Sequence, residues 1–118
     1  MKTGQDNFIG SAQRNIFYQW WEPDEGARAV LFLVHGAGEH SGRYKEFAQY
    51  FVDRGYAVAA LDHNGHGRSD GLPGYVESFE DYVGDVGLFW QECLKRFPDK
   101  PFVLVGHSLG GLISAHFL

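Results

Sequence analysis

Three short apolar runs constrain this chain more than any other feature: residues 29–34 (AVLFLV), 56–61 (YAVAAL) and 102–105 (FVLV). Each is unbroken rather than alternating, as expected of strands buried on both faces of a parallel sheet, and each is too short for a buried helix. The stretches between them carry helical period. Tyr44, Phe47, Ala48, Phe51 and Val52 fall on one side of a helix closing near Gly55. Ser78, with Asp81 three residues on, resembles a capping box, and apolar residues from Phe79 to Phe97 then keep helical spacing until Pro98. Strands alternating with helices require right-handed crossovers, so the predicted class is α/β: a mostly parallel sheet with helices on both faces.

Length and composition set the outer bounds. A chain of 118 residues with 44% hydrophobic and 21% charged residues suits one packed domain and neither a disordered tail nor a fibrous repeat. The net charge of −5, with basic residues scattered from Lys2 to Lys100, argues against nucleic acid as a partner. Cys93 is the single cysteine, so no internal disulfide forms, and its place among apolar helix residues reads as core. The apolar runs are too short for a membrane span or a signal-peptide core, and a soluble, cytoplasmic protein is expected. Glycine stands out: 16 residues against a usual share of about 7%, a surplus that suits tight turns and close backbone approach to a ligand.

The remaining segments are less regular. Residues 15–21 (NIFYQWW) are aromatic and β-prone and read as a hairpin arm or an edge strand, with Trp20 and Trp21 as packing residues. Residues 62–74 are rich in glycine and read as a long loop whose backbone conformation matters more than its side-chain packing.

Chemistry concentrates after the third apolar run. Gly106, His107, Ser108, Leu109 and Gly110 form a GxSxG run between a strand and a helix. A serine on such a sharp strand-to-helix turn has its hydroxyl lifted above the sheet, while the helix N-terminus presents backbone N–H groups beside it. The competing reading is a helix-capping serine with no special reactivity. A second segment, residues 35–44 (HGAGEHSGRY), follows the first core strand. Its small residues let a carbonyl approach, and the Ala37 N–H, paired with that of Leu109, supplies the two donors a developing oxyanion needs.

Two rival chemistries share these residues. Gly36, Gly38 and Ser41 approximate the dinucleotide fingerprint GxGxxG, with Asp62 ending the next strand, but the third glycine is missing and Glu39 places negative charge where a pyrophosphate would lie. Six histidines raise metal hydrolysis, yet none forms an HExxH pair, so no metal and no cofactor are assigned.

HGAGEHSGRY, then LDHNGHGRSDG, then VGHSLGG, in this order and at these separations, resemble the monoacylglycerol lipase and lysophospholipase branch of the α/β-hydrolase superfamily. The resemblance runs from about residue 29 to the end. It implies that Ser108 is the nucleophile, that Ala37 and Leu109 form the oxyanion hole, and that the substrate is a lipid ester with a fatty acyl chain. His35, Gly36, Gly38, Glu39, Gly106, His107 and Gly110 would form the supporting loops, with Glu39 and Arg43 bracing the oxyanion loop. His107, whose side chain should diverge from that of Ser108 at the bend, is expected to pack rather than act as a base. His66, Gly67 and Ser69 match a loop kept near the site for structural reasons.

In α/β-hydrolases the acid and the histidine follow the nucleophile. The residues after Ser108 include no carboxylate, and His116 lies about 12 Å of helical rise along the same helix. Residues 1–118 therefore read as the N-terminal part of an α/β-hydrolase domain, without later strands, lid, triad acid or triad histidine. That reading carries its own expectations: little turnover by this chain alone, self-association through an exposed sheet edge, and peripheral membrane contact in a full-length protein. A truncated, non-catalytic binding module is the alternative.

Overall fold

The computed structural model describes residues 1–118. Its elements are β1 (Lys2–Ile9), β2 (Asn15–Glu22), β3 (Val30–Val34), a 3-10 turn (Ser41–Tyr44), α1 (Lys45–Val52), β4 (Ala57–Leu61), α2 (Phe79–Arg96), β5 (Phe102–Gly106) and α3 (Leu109–Phe117). The five strands form one sheet in the order β1-β2-β4-β3-β5. The three apolar runs are its parallel part: β3 pairs in parallel with β4 on one side and β5 on the other.

The amino-terminal hairpin completes the sheet with antiparallel pairs. Lys2 to Ile9 pair with Glu22 to Asn15, and Tyr18 to Trp21 pair with Leu61 to Val58. The expected hairpin arm is present, but β2 is interior and the polar β1 takes the edge. β2 earns that place by burying side chains on both faces: Ile16 and Tyr18 join the core under α2, whereas Trp21 joins the core under α1.

Period-two alternation in β3 explains why helices cover both faces. Val30, Phe32 and Val34 point toward α2 and α3, meeting Val86, Phe89, Cys93 and Ile113. Leu31 and Leu33 point the other way, toward Ala48 and Val52 of α1. Cys93 is buried, as its position suggested. At the start of α2 the Ser78 hydroxyl accepts from the Glu80 N–H at 3.2 Å, but the box does not close, because the Asp81 carboxylate lies instead 3.4 Å from the Ser11 hydroxyl. No helix is long and apolar enough to cross a membrane.

Phe89 is the centre of the larger core. Its ring lies 4.7 Å from that of Phe32 and 5.4 Å from that of Tyr18, with no exposed surface. Phe89→Ala is expected to lower the unfolding free energy by about 3–5 kcal/mol, read from urea denaturation.

Candidate active site

The site is built where β5 hands the chain to α3. Ser108 adopts φ 56° and ψ −119°, a conformation that costs a non-glycine residue about 1–3 kcal/mol and persists only where neighbours enforce it. Enforcement comes from the glycines on either side. A Cβ on Gly110 would run into the carbonyls of Val34 and His35, and one on Gly106 would lie 2.7 Å from the Gly110 carbonyl oxygen. Without side chains at both positions α3 settles directly onto the ends of β3 and β5. Ser108 is left exposed at the bend.

Backbone donors at this bend are nearly all used. The N–H groups of Gly110 and Gly111 bond the carbonyls of His107 and Ser108 at 2.9 Å, and that of Leu112 reaches Ser108 at 3.4 Å. Leu109, the first residue of α3, keeps the N–H that a helix leaves without an intrahelical acceptor. Across from it the 35–44 loop passes close by: a Cβ on Gly36 would stand 3.2 Å from the Ser108 Cβ. Ala37, next along, is exposed, and its N–H has no acceptor within the protein. The two amides expected to serve an oxyanion are both without an acceptor within the protein, as is the N–H of Ser108 itself.

Glu39 ties the loop to the bend. Its Oε1 accepts from the Gly36 N–H at 2.8 Å, from His107 Nδ1 at 2.9 Å and from the Tyr44 hydroxyl at 3.0 Å. A carboxylate only accepts, so His107 carries its proton on Nδ1. Burial raises the Glu39 pKa, but the hydrogen bonds from His107, Gly36 and Tyr44 together outweigh it and hold the carboxyl at about 2. Tyr44, half-buried and beside this carboxylate, is pushed up to about 12. Glu39 thus joins the 35–44 loop to the 106–110 bend through hydrogen bonds. Arg43 does not share this role, since its side chain makes neither a hydrogen bond nor an ion pair there. His107 is not a packing residue but an exposed one, linked to Glu39.

Beneath the loop, histidines serve as brackets. His35 Nδ1 donates to the Gly36 carbonyl at 2.7 Å while its Nε2 accepts from the His63 N–H at 3.1 Å. His63 Nε2 returns a hydrogen bond to the His35 carbonyl at 2.9 Å. Both nitrogens of His35 are therefore committed, which removes it as a metal ligand. Burial lowers the pKa of His35, and burial together with its histidine neighbours takes that of His63 to about 3, so both are neutral near pH 7. The dinucleotide reading fails on a contact: the Gly36 N–H, which would meet a phosphate, is occupied by Glu39.

Sequence reasoning missed Asp62 as a structural node. This buried carboxylate accepts from the Ser41 N–H at 2.6 Å and from the Arg68 N–H at 3.0 Å, joining the 35–44 loop to the 62–74 loop. Ser69 completes the joint: its hydroxyl donates to the Asp62 carbonyl at 2.5 Å and accepts from the Phe17 N–H at 2.9 Å. The available signal was an aspartate at the end of a buried strand, followed by glycines that need an anchor. Gly38 adopts a φ of +71°, and His66 lies buried with Nδ1 donating to the Asn64 carbonyl. His116 is held at the far end of α3, its ring 5.1 Å from that of Phe79.

A mixed sheet with helices on both faces, and a sharp strand-to-helix bend that carries Ser108, define an α/β-hydrolase fold. Residues 25–118 match the family model for serine aminopeptidase, S33, and the chain belongs to that family. It is 42% identical over 108 residues to a monoglyceride lipase of Mus musculus, covering 92% of this chain and 36% of that one. It is 38% identical over 107 residues to a monoacylglycerol lipase of Mycolicibacterium smegmatis, covering 91% and 38%. Among solved structures, a thermostable carboxyl esterase from Bacillus coagulans superposes with a TM-score of 0.89 at 27% identity, over 99% of this chain and 40% of that one. The chain thus spans little more than a third of the length of the curated relatives it matches.

Two pH windows follow from these groups. Folded His63 refuses a proton that the unfolded chain takes up below its ordinary value of 6.5, so stability should fall as the pH drops from 6.5 toward 3. His63→Gln should lose less stability than wild type between pH 7 and pH 5, in urea midpoints taken at each pH. Glu39 acts in a lower window: its contribution is complete above the ordinary value of 4.5 and is lost as the pH falls through about 2. Glu39→Gln should therefore unfold at lower urea than wild type at pH 6, and the gap should shrink steadily below pH 4.5.

Proposed function

We propose that Ser108 is the nucleophile of a carboxylic ester hydrolase acting on fatty acyl esters of the monoacylglycerol type. The observation that carries this reading is the strained Ser108 backbone, which sets an exposed hydroxyl beside the uncommitted N–H groups of Ala37 and Leu109. Similarity to monoglyceride lipases supports the substrate class.

The Ser108 hydroxyl oxygen attacks the ester carbonyl and loses its proton to a general base. The carbonyl oxygen, now negative, accepts from Ala37 and Leu109, whose amides are already oriented and cost no reorganisation. Collapse breaks the bond to the alcohol, which leaves with that proton, and the acyl group stays on Ser108 Oγ. Water then attacks the acyl-enzyme by the same route and releases the fatty acid. The base and the acid that orients it are not among residues 109–118. The nearby imidazoles do not suit the role: His35 has both ring nitrogens engaged, His63 is fully buried, and His107 is engaged with Glu39.

The purified 118-residue chain should hydrolyse a p-nitrophenyl ester no faster than its Ser108→Ala variant. In a protein that extends this chain to the length of its relatives, 1-monooleoylglycerol should be hydrolysed, and Ser108→Ala should lower kcat by about ten-thousandfold or more. Undiminished turnover in that variant would refute the assignment. Lysophosphatidylcholine in place of monooleoylglycerol separates a lysophospholipase from a monoacylglycerol lipase.

A further inference from the structure

A second concave site lies beside the amino-terminal hairpin, with His40 and Gly42 of the 35–44 loop also in its wall. The β1–β2 hairpin, the start of α1 and the 62–74 loop enclose a cleft of about 580 Å³, a size typical of small-molecule sites. β5 and α3 carry Ser108 at one sheet edge, and β1 lines the cleft at the opposite edge.

Its charge is unusual for a protein with a net charge of −5. Lys45 and Arg68 both line the cleft, and neither has a carboxylate within ion-pair distance, although the neighbouring cations do: the Met1 ammonium lies 3.1 Å from Asp24, and Lys2 3.8 Å from Glu22. The Arg68 guanidinium instead sits 5.1 Å over the Phe17 ring, with no hydrogen-bond acceptor of its own. Asp62 is the only carboxylate in the lining. It is buried, and its two oxygens are already held by the N–H groups of Ser41 and Arg68. An entering anion therefore meets two cations without carboxylate partners, with the His40 imidazole in the same wall.

The remaining walls suit an organic ester better than a bare ion. Trp21 forms an apolar floor, and Gln5, exposed on β1, offers an uncommitted amide. Gln19 is half-committed, donating from Nε2 to the Ser41 hydroxyl at 2.7 Å and keeping its carbonyl oxygen. Paired Lys and Arg side chains match the oxygens of a phosphate, the guanidinium by its fork and the ammonium as a point charge. We propose that this cleft binds a phosphate ester through Lys45 and Arg68, at a site separate from Ser108.

The test is a titration of the 118-residue chain with inorganic phosphate and with glycerol 3-phosphate, followed by amide NMR shifts at ionic strength held constant with chloride. Saturable shifts are expected at Gln19, Gly42, Lys45 and Arg68, with the ester binding at least as tightly as phosphate. Arg68→Gln and Lys45→Gln should each weaken binding by about fivefold or more, whereas Arg54→Gln, whose guanidinium rests on Tyr50, should not. If Arg68→Gln fails to fold by circular dichroism, Lys45→Gln carries the test from an exposed position. Co-sedimentation with phosphatidic acid vesicles but not phosphatidylcholine vesicles, abolished by Lys45→Gln, would assign the phosphate to a lipid headgroup. Saturable binding without co-sedimentation would assign it to a soluble ester. Shifts that chloride reproduces, that map elsewhere, or that persist unchanged in both variants overturn the proposal. None of these readouts depends on ester hydrolysis, so failure here leaves the Ser108 assignment intact.

Discussion

The contact between the start of α3 and the ends of β3 and β5 governs everything around it. It exists because Gly106 and Gly110 carry no side chains, so helix backbone rests on strand carbonyls at a separation that any Cβ would forbid. That closeness forces the intervening Ser108 into a backbone conformation that serine avoids in isolation. It also turns the first N–H of α3 outward and brings the bend against Gly36. The strain is local, but the cores that hold α2 and α3 on the sheet sustain it.

A second layer of order comes from polar groups in a dry environment. Inside the protein an unpaired donor or acceptor is costly, so His35, His63, Asp62 and Ser41 are matched almost atom for atom. The matching fixes ring orientation and proton position, and it links two loops that share no secondary structure. Glu39 extends the same logic to the surface, where one carboxylate oxygen gathers three donors and keeps its negative charge well into acid. Only three buried side-chain atoms lack partners: His63 Nδ1, Asp85 Oδ2 and the Ser114 hydroxyl oxygen. Burial raises the Asp85 pKa, although Ser11 donates to its other oxygen.

The sheet thus separates two chemistries. Its parallel end carries an exposed hydroxyl near amides without acceptors, the setting of the proposed nucleophile. Its antiparallel end carries cations without carboxylate partners around a cleft, the setting of the proposed phosphate-ester site. The 35–44 loop touches both, with Gly36 against Ser108 and with His40 and Gly42 in the wall of the cleft.

Whatever depends on neighbours a few residues apart was legible in the sequence. The three buried strands, both major helices and the strand–glycine–serine–glycine–helix turn follow from runs, periods and the steric demands of a sharp bend, all local properties. Family resemblance pointed further, to the Ala37 and Leu109 amides and to Glu39. Only the tertiary structure decided which residues use those positions together. The Glu39–His107 bond spans 68 residues of chain, and the Ser41–Asp62 bond spans 21. β2 became interior because both its faces found a core, which no pattern within NIFYQWW expresses. Arg43 was left out of the brace, and Lys45 and Arg68 were left without counterions, for the same reason: pairing is set by distance in space, and the folded sheet and its loops alone fix that distance.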